Sequence, residues 1–260
     1  MRVDRVIFPL GKLISAAVML VAAVAVQATP VSFTFNSFTH SKTVSGSYDG
    51  GNLSDLYVGN INIAFKDTSG TSSANVVAFC MELSQGLNIG QSYNYTATTL
   101  TAAGLSDAQA RLVSILYDQY YAGPTTQDWN SVNTGAFQLA LWELTHDTDG
   151  SLWSDEGDFY IQSGGSNKQV SKIANEYLTG IYELASDANY EPYSQLVSLT
   201  NAESQDLIVL ASMVPGYDGG TAVAVPFGVN PLPGLAIVGL FAWRRLRQRQ
   251  ARAAGTTATA

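Results

Sequence analysis

Three early stretches alternate apolar and polar residues with period two: VSFTFNSF (31–38), LYVGNINIAFKD (56–67) and ANVVAFCMEL (74–83). Each is rich in β-branched or aromatic residues and is bounded by Gly, Ser, Asp and Asn. That pattern predicts strands, and SYNYTATTL (92–100) predicts a fourth. The period then changes. Ser106-Asp107 stands at an N-cap position, and AQARLVSILYDQYY (108–121) sets Ala108, Leu112, Ile115 and Leu116 on one helical face before Gly123-Pro124. Ser131 to Thr134 leads into a second helix, GAFQLALWELTHD (135–147). SNKQVSKIANEYLTGIYELASD (166–187) predicts a third, and SQLVSLT (194–200) and QDLIVLASM (205–213) return to strand. Strands, a helical insert and strands again predict an α+β fold, an antiparallel β-sandwich or barrel with an inserted helical subdomain over residues 29–222.

Both ends carry a different pattern. Arg2, Arg5 and Lys12 precede the apolar run LISAAVMLVAAVAV (13–26), and Val26-Gln27-Ala28 is a small-residue cleavage site. This is the order of a secretory signal peptide, 1–28, with an apolar run shorter than the roughly twenty residues of a membrane span. Residues 223–260 hold a proline-bearing stretch, a short Gly-rich apolar segment and then Arg244, Arg245, Arg247, Arg249 and Arg252. Arginines directly after an apolar segment hold it as a transmembrane helix with its end on the cytoplasmic side. The segment resembles the C-terminal sorting signals of exosortase substrates, the PEP-CTERM class, although Pro226-Phe227-Gly228 stands where Pro-Glu-Pro is usual. The resemblance implies transient anchoring in the inner membrane, then C-terminal processing and display on the cell surface or release outside it. A plain C-terminal anchor is the other reading.

Charge sharpens the picture once these ends are set aside. The 260-residue chain carries a net charge of −8, but residues 29–226 hold only five basic side chains against twenty acidic ones, a net −15. A domain this acidic is expected to stay soluble and to avoid nucleic acid and anionic membrane surfaces.

Cys80 is the single cysteine, so the exported chain forms no internal disulfide. Its thiol is a buried small hydrophobe, a link to another chain, or a reagent. Gln138, in the second helix, is the residue that gives a reagent something to do. A thiolate beside a glutamine carboxamide attacks it, expels ammonia and leaves an internal thioester, an activated acyl group that a partner's amine captures as an amide. A carboxylate is a far poorer acceptor than the carboxamide. Such a bond lasts only where water is kept out, and Phe79, Phe137 and Trp142 are candidates for that shielding.

On these residues the chain resembles the thioester domains of bacterial surface adhesins. Phe79-Cys80 matches the aromatic-Cys motif of an early strand, and Gln138-Leu139-Ala140-Leu141-Trp142 matches the Thr-Gln-x-Ala-aliphatic-Trp motif that opens a helix. LVSILYDQYYAG (112–123) looks like the helix preceding the glutamine. Phe137 replaces the usual threonine. The resemblance covers residues 55–213 and implies covalent adhesion to an amine-bearing surface protein or matrix polymer, not enzymatic turnover. The other function class is a non-covalent extracellular matrix or biofilm protein with an inert Cys80.

Remaining candidates are weaker. A cysteine hydrolase needs a base, and His146 is the one histidine placed for it, about 12 Å along the helix from Gln138. Asp147, Asp149 and Asp158 of DTDGSLWSDEGD loosely resemble a calcium loop, but Leu152 sits where an EF-hand has glycine. A solvated acidic loop is the simpler reading, and no cofactor or resident metal is expected. Tyr117, Tyr120 and Tyr121 are expected to pack helices rather than to form a carbohydrate platform.

Overall fold

The computed structural model describes residues 28–66, 73, 75–123, 129–147, 149–153, 157–162, 164 and 167–217. The apolar run of the proposed leader and the whole of the proposed sorting tail lie outside the described residues. Among the described residues, no helix is long and apolar enough to cross a membrane.

The elements run β1 (Thr29–Tyr48), β2 (Gly51–Lys66), β3 (Val76–Cys80), β4 (Ser92–Thr98), α1 (Asp107–Tyr120), α2 (Ser131–His146), β5 (Phe159–Ile161), α3 (Asn167–Ala185), β6 (Leu196–Thr200) and β7 (Leu207–Leu210), ending in a 3-10 turn at Ala211–Met213. All strand pairings are antiparallel. The order β2-β3-β7-β6-β4-β1 closes on itself because β1 also pairs with β2. Six strands therefore form a barrel, which removes the exposed edges that an open sheet would present. The fold is α+β, as the pattern predicted, and of the two expected architectures it is the barrel.

Two strands are longer than their alternation indicates. β1 continues past Phe38 through the polar THSKT segment, and the register slips between Phe35 and Ser37, Thr39 and Lys42, and Val44 and Gly46. These bulges insert unpaired residues, break the period of two and hide the strand from a pattern search. His40 takes a positive φ of 50° at the middle slip. The hairpin then closes through Asp49-Gly50, whose φ values of 48° and 72° suit a two-residue turn between right-twisted strands. β5, three residues long, adds to the far end of β1 through Gly46–Tyr48 and is too short for its period to register.

Capping residues set the helix starts. Ser106 accepts from the Gln109 N–H while the Gln109 side chain accepts from the Ser106 N–H, a complete capping box for α1. Asn130 caps α2 by accepting from the N–H groups of Val132 and Asn133. This cap starts α2 at Ser131, so residues 131–134 are its first turn and not a lead-in. From Thr134 to Leu144 every α2 residue is buried. A helix apolar around its whole girth must be enclosed, and α2 lies across β1, β2 and β3 with α1 and α3 packed against it. Gly135 marks how closely: a Cβ there would meet Val58 of β2 at 3.0 Å and Val170 of α3 at 3.1 Å.

At the middle bulge of β1 the backbone of Ser41 presses on Gly59 of β2, where an added Cβ would lie 2.7 Å from the Ser41 Cα. A Gly59→Val substitution is expected to destabilise the fold by about 1–3 kcal/mol through that overlap, read as a lower urea midpoint with an unchanged slope.

Candidate functional site

Three polar side chains interrupt the buried length of α2: Thr134, Gln138 and Glu143. Buried polar groups need partners. Thr134 Oγ1 donates to the Asn130 carbonyl at 2.6 Å, within its own helix. Gln138 and Glu143 reach outside it.

Gln138 turns to Cys80. Its Oε1 accepts from the Cys80 N–H at 3.0 Å, and its Nε2 donates to the Cys80 carbonyl at 2.8 Å. The strand geometry explains why those two groups are available. Met81 N–H donates to Asp206 O on the β7 side, so the N–H and C=O of the preceding residue face the other way, toward β2. The β2–β3 ladder has ended by then, its last pair being Ile61 with Ala78. The carboxamide therefore occupies the place of the next residue of β2. Gln138 is the eighth residue of α2 and not at the helix start as its motif implied, because the Asn130 cap begins the helix earlier.

The thiol at this point is protonated. Cys80 is buried, and burial, with the nearby Glu82 carboxylate as a second cause, pushes its pKa well up. A standing thiolate of the kind that cysteine hydrolases use is opposed by this setting. No hydrogen bond joins His146 to Cys80. The imidazole packs edge-on to Tyr48 at 4.8 Å and bonds to the Met81 backbone. Burial lowers its pKa, partly offset by that bond. The imidazole thus has contacts of its own, at Tyr48 and the Met81 backbone.

Rings pack around Phe79. Its centroid lies 4.5 Å from Phe137, 5.2 Å from Trp129 and 6.4 Å from Tyr117. Phe137, which stands where threonine is usual, is a fully buried member of this group. Trp142 is buried too, but its ring meets Phe159 of β5 at 6.2 Å and stands apart from the Phe79 group. Trp129, which was not among the residues expected to shield the site, takes part instead, tied by its indole N–H to the Gly123 carbonyl at 2.8 Å. Its one available signal was position, next to the residue that caps α2. Tyr117 and Tyr121 stack on each other at 5.2 Å, and Tyr120 stacks on Tyr177 of α3 at 4.0 Å, so these tyrosines pack helices as expected. A cleft of about 440 Å³ lies beyond Tyr117, lined also by Asp118, Tyr121 and Tyr193. A larger one, about 720 Å³, is lined by Gln85, Asn94, Asn201 and Asp206 among others and by neither Cys80 nor Gln138.

Glu143 reaches the segment after α2. Its Oε1 accepts from the N–H groups of Gly150 at 2.9 Å and Ser151 at 3.1 Å. Glu143, Asp147 and Asp149 each place an oxygen within 4.8 Å of the others. Asp158, part of the calcium loop considered from the sequence, falls outside this group; its carbonyl accepts from Asp49 N–H. Burial, then the charges of Asp149 and Asp147, push the Glu143 carboxyl up to about 9.

No protein-family model matches the chain, and no curated protein matches it. Among solved structures it is similar to the thioester domain of the Staphylococcus aureus TIE protein, at 13% identity over 70% of this chain and 78% of that one, with a TM-score of 0.38.

Proposed function

We propose that Cys80 and Gln138 form an internal thioester, and that the protein is an exported surface adhesin that couples through it to an amine-bearing partner. One observation carries the reading: the Gln138 carboxamide is held, in a buried site, by the backbone of the very cysteine that would attack it. Holding reactants in this way converts a bimolecular step into an intramolecular one.

The chemistry follows from those contacts. Cys80 Sγ attacks Gln138 Cδ, and the S–H proton passes to Nε2. The Sγ–Cδ bond forms, the Cδ–Nε2 bond breaks, and ammonia leaves. The charge that develops on Oε1 sits at the Cys80 N–H, which already donates to it. Because the leaving nitrogen takes the thiol's own proton, a thiol held protonated is compatible with the step and no histidine is required. The aromatic group around Phe79 keeps water from the product. In the second step the partner's amine attacks Cδ, an amide forms, and Cys80 leaves as the thiol. Export by the N-terminal leader and sorting by the C-terminal segment belong to the same proposal, since a covalent adhesin acts outside the cell.

Intact mass spectrometry of the secreted domain is the direct test. The expected mass is lower than the sequence mass by one ammonia, about 17 Da, and the deficit disappears in Cys80→Ala and in Gln138→Ala. A full sequence mass in the unmodified protein would instead favour a non-covalent matrix protein with an inert cysteine.

Methylamine provides a second readout. It is expected to add to the intact protein and to free one thiol per chain, while the His146→Ala protein reacts as the unmodified one does. Loss of the reaction in His146→Ala would restore histidine to the chemistry.

A further inference from the structure

We propose that the carboxylates of Glu143, Asp147 and Asp149 bind a calcium ion at the end of α2, at a site separate from Cys80 and Gln138. Three acidic side chains near one another are by themselves unremarkable on a protein this acidic. Two oxygens within the group make the difference.

Glu143 is wholly buried. One of its oxygens takes two backbone N–H groups, but Oε2 is buried with no hydrogen-bond donor, and so is Asp149 Oδ2. The rest of the cluster is already oriented by the backbone. Asp149 Oδ1 accepts from Ser151 N–H at 2.8 Å, Asp147 Oδ1 from Asp149 N–H at 3.1 Å, and Asp147 Oδ2 from Phe159 N–H at 3.2 Å. No lysine or arginine among the described residues pairs with Glu143 or Asp149. Two carboxylate oxygens facing each other in a buried site with no counter-charge are costly unless they share a proton. A cation placed among these oxygens satisfies both orphans at once.

The donor set and the spacing select the ion. Only oxygens are offered, which suits a hard cation. Bonds of about 2.3–2.6 Å put oxygens on opposite sides of calcium roughly 5 Å apart, and the three ligand oxygens lie within 4.8 Å of one another. Magnesium keeps much of its water shell, which a cluster built around a fully buried Glu143 accommodates poorly. Gly157 keeps the space beside the carboxylates clear. A Cβ there would run into Asp147 Oδ2 and lie 3.2 Å from Asp149 Oδ2. The ion would tie the last turn of α2 to the segment leading into β5, about 7.5 Å along the helix from Gln138.

The test uses the full chain stripped with a chelator and titrated with calcium chloride or magnesium chloride, followed by calorimetry and thermal unfolding. One calcium per chain is expected, with a melting-temperature rise of roughly 3–10 °C at 10 mM calcium and a smaller rise with magnesium. Glu143→Gln and Asp149→Asn, each nearly isosteric, should melt cooperatively and lose both the binding heat and the rise. Absence of heat and shift in the unmodified protein would mean that Glu143 and Asp149 share a proton instead, and the proposal falls. It falls equally if the shift persists in both variants, since calcium would then bind elsewhere on the acidic surface.

Discussion

Two hydrogen bonds between one side chain and one backbone residue join the helical half of this protein to its barrel at the point that matters. The Gln138 carboxamide takes the N–H and the C=O of Cys80 together, in the place where the β2–β3 ladder has run out. An amide side chain suits this role because it carries a donor and an acceptor side by side, as a strand backbone does. Leaving either Cys80 group unmatched in a dry interior would cost on the order of 1–3 kcal/mol. The contact therefore fixes the rotation of α2 about its axis and its height along β3, and with them every other residue the helix presents.

That constraint gives meaning to the polar residues of an otherwise apolar helix. Between Thr134 and Leu144, α2 has no solvent face on which a polar side chain can sit without consequence. Thr134 is satisfied locally, Gln138 answers the strand, and Glu143 answers the segment that follows the helix. Each end of the buried stretch thus has its own anchor. The one at Glu143 is incomplete, with an oxygen left over in a group of like charges. Burial first, and then its like-charged neighbours, displace this carboxyl upward from its ordinary range.

Burial also explains why the surroundings of Cys80 look unlike those of a hydrolase. Catalytic cysteines sit partly exposed beside a positive charge that stabilises the thiolate. Here rings surround Phe79, Glu82 adds a negative charge, and His146 is engaged with Tyr48 and the Met81 backbone. These features oppose a standing thiolate at Cys80.

Periodicity read along the chain was enough to place α1, α3 and the cores of most strands, since those elements bury one face and keep the other wet. It shortened β1, whose three bulges interrupt the alternation, and it passed over β5, which exists only because Gly46–Tyr48 offers it a partner. The sequence by itself also determined the strongly acidic charge and the lone cysteine, and its resemblance to a known family pointed to an aromatic-Cys segment paired with a Gln-bearing helix. Tertiary structure alone decided that the strands close into a ring, that Trp129 joins Phe79 while Trp142 turns to Phe159, and that Glu143 rather than Asp158 lies with Asp147 and Asp149. The physical reason is shared by all three. Each depends on which surfaces meet across dozens of intervening residues, and local propensity carries no information about the far side of a contact.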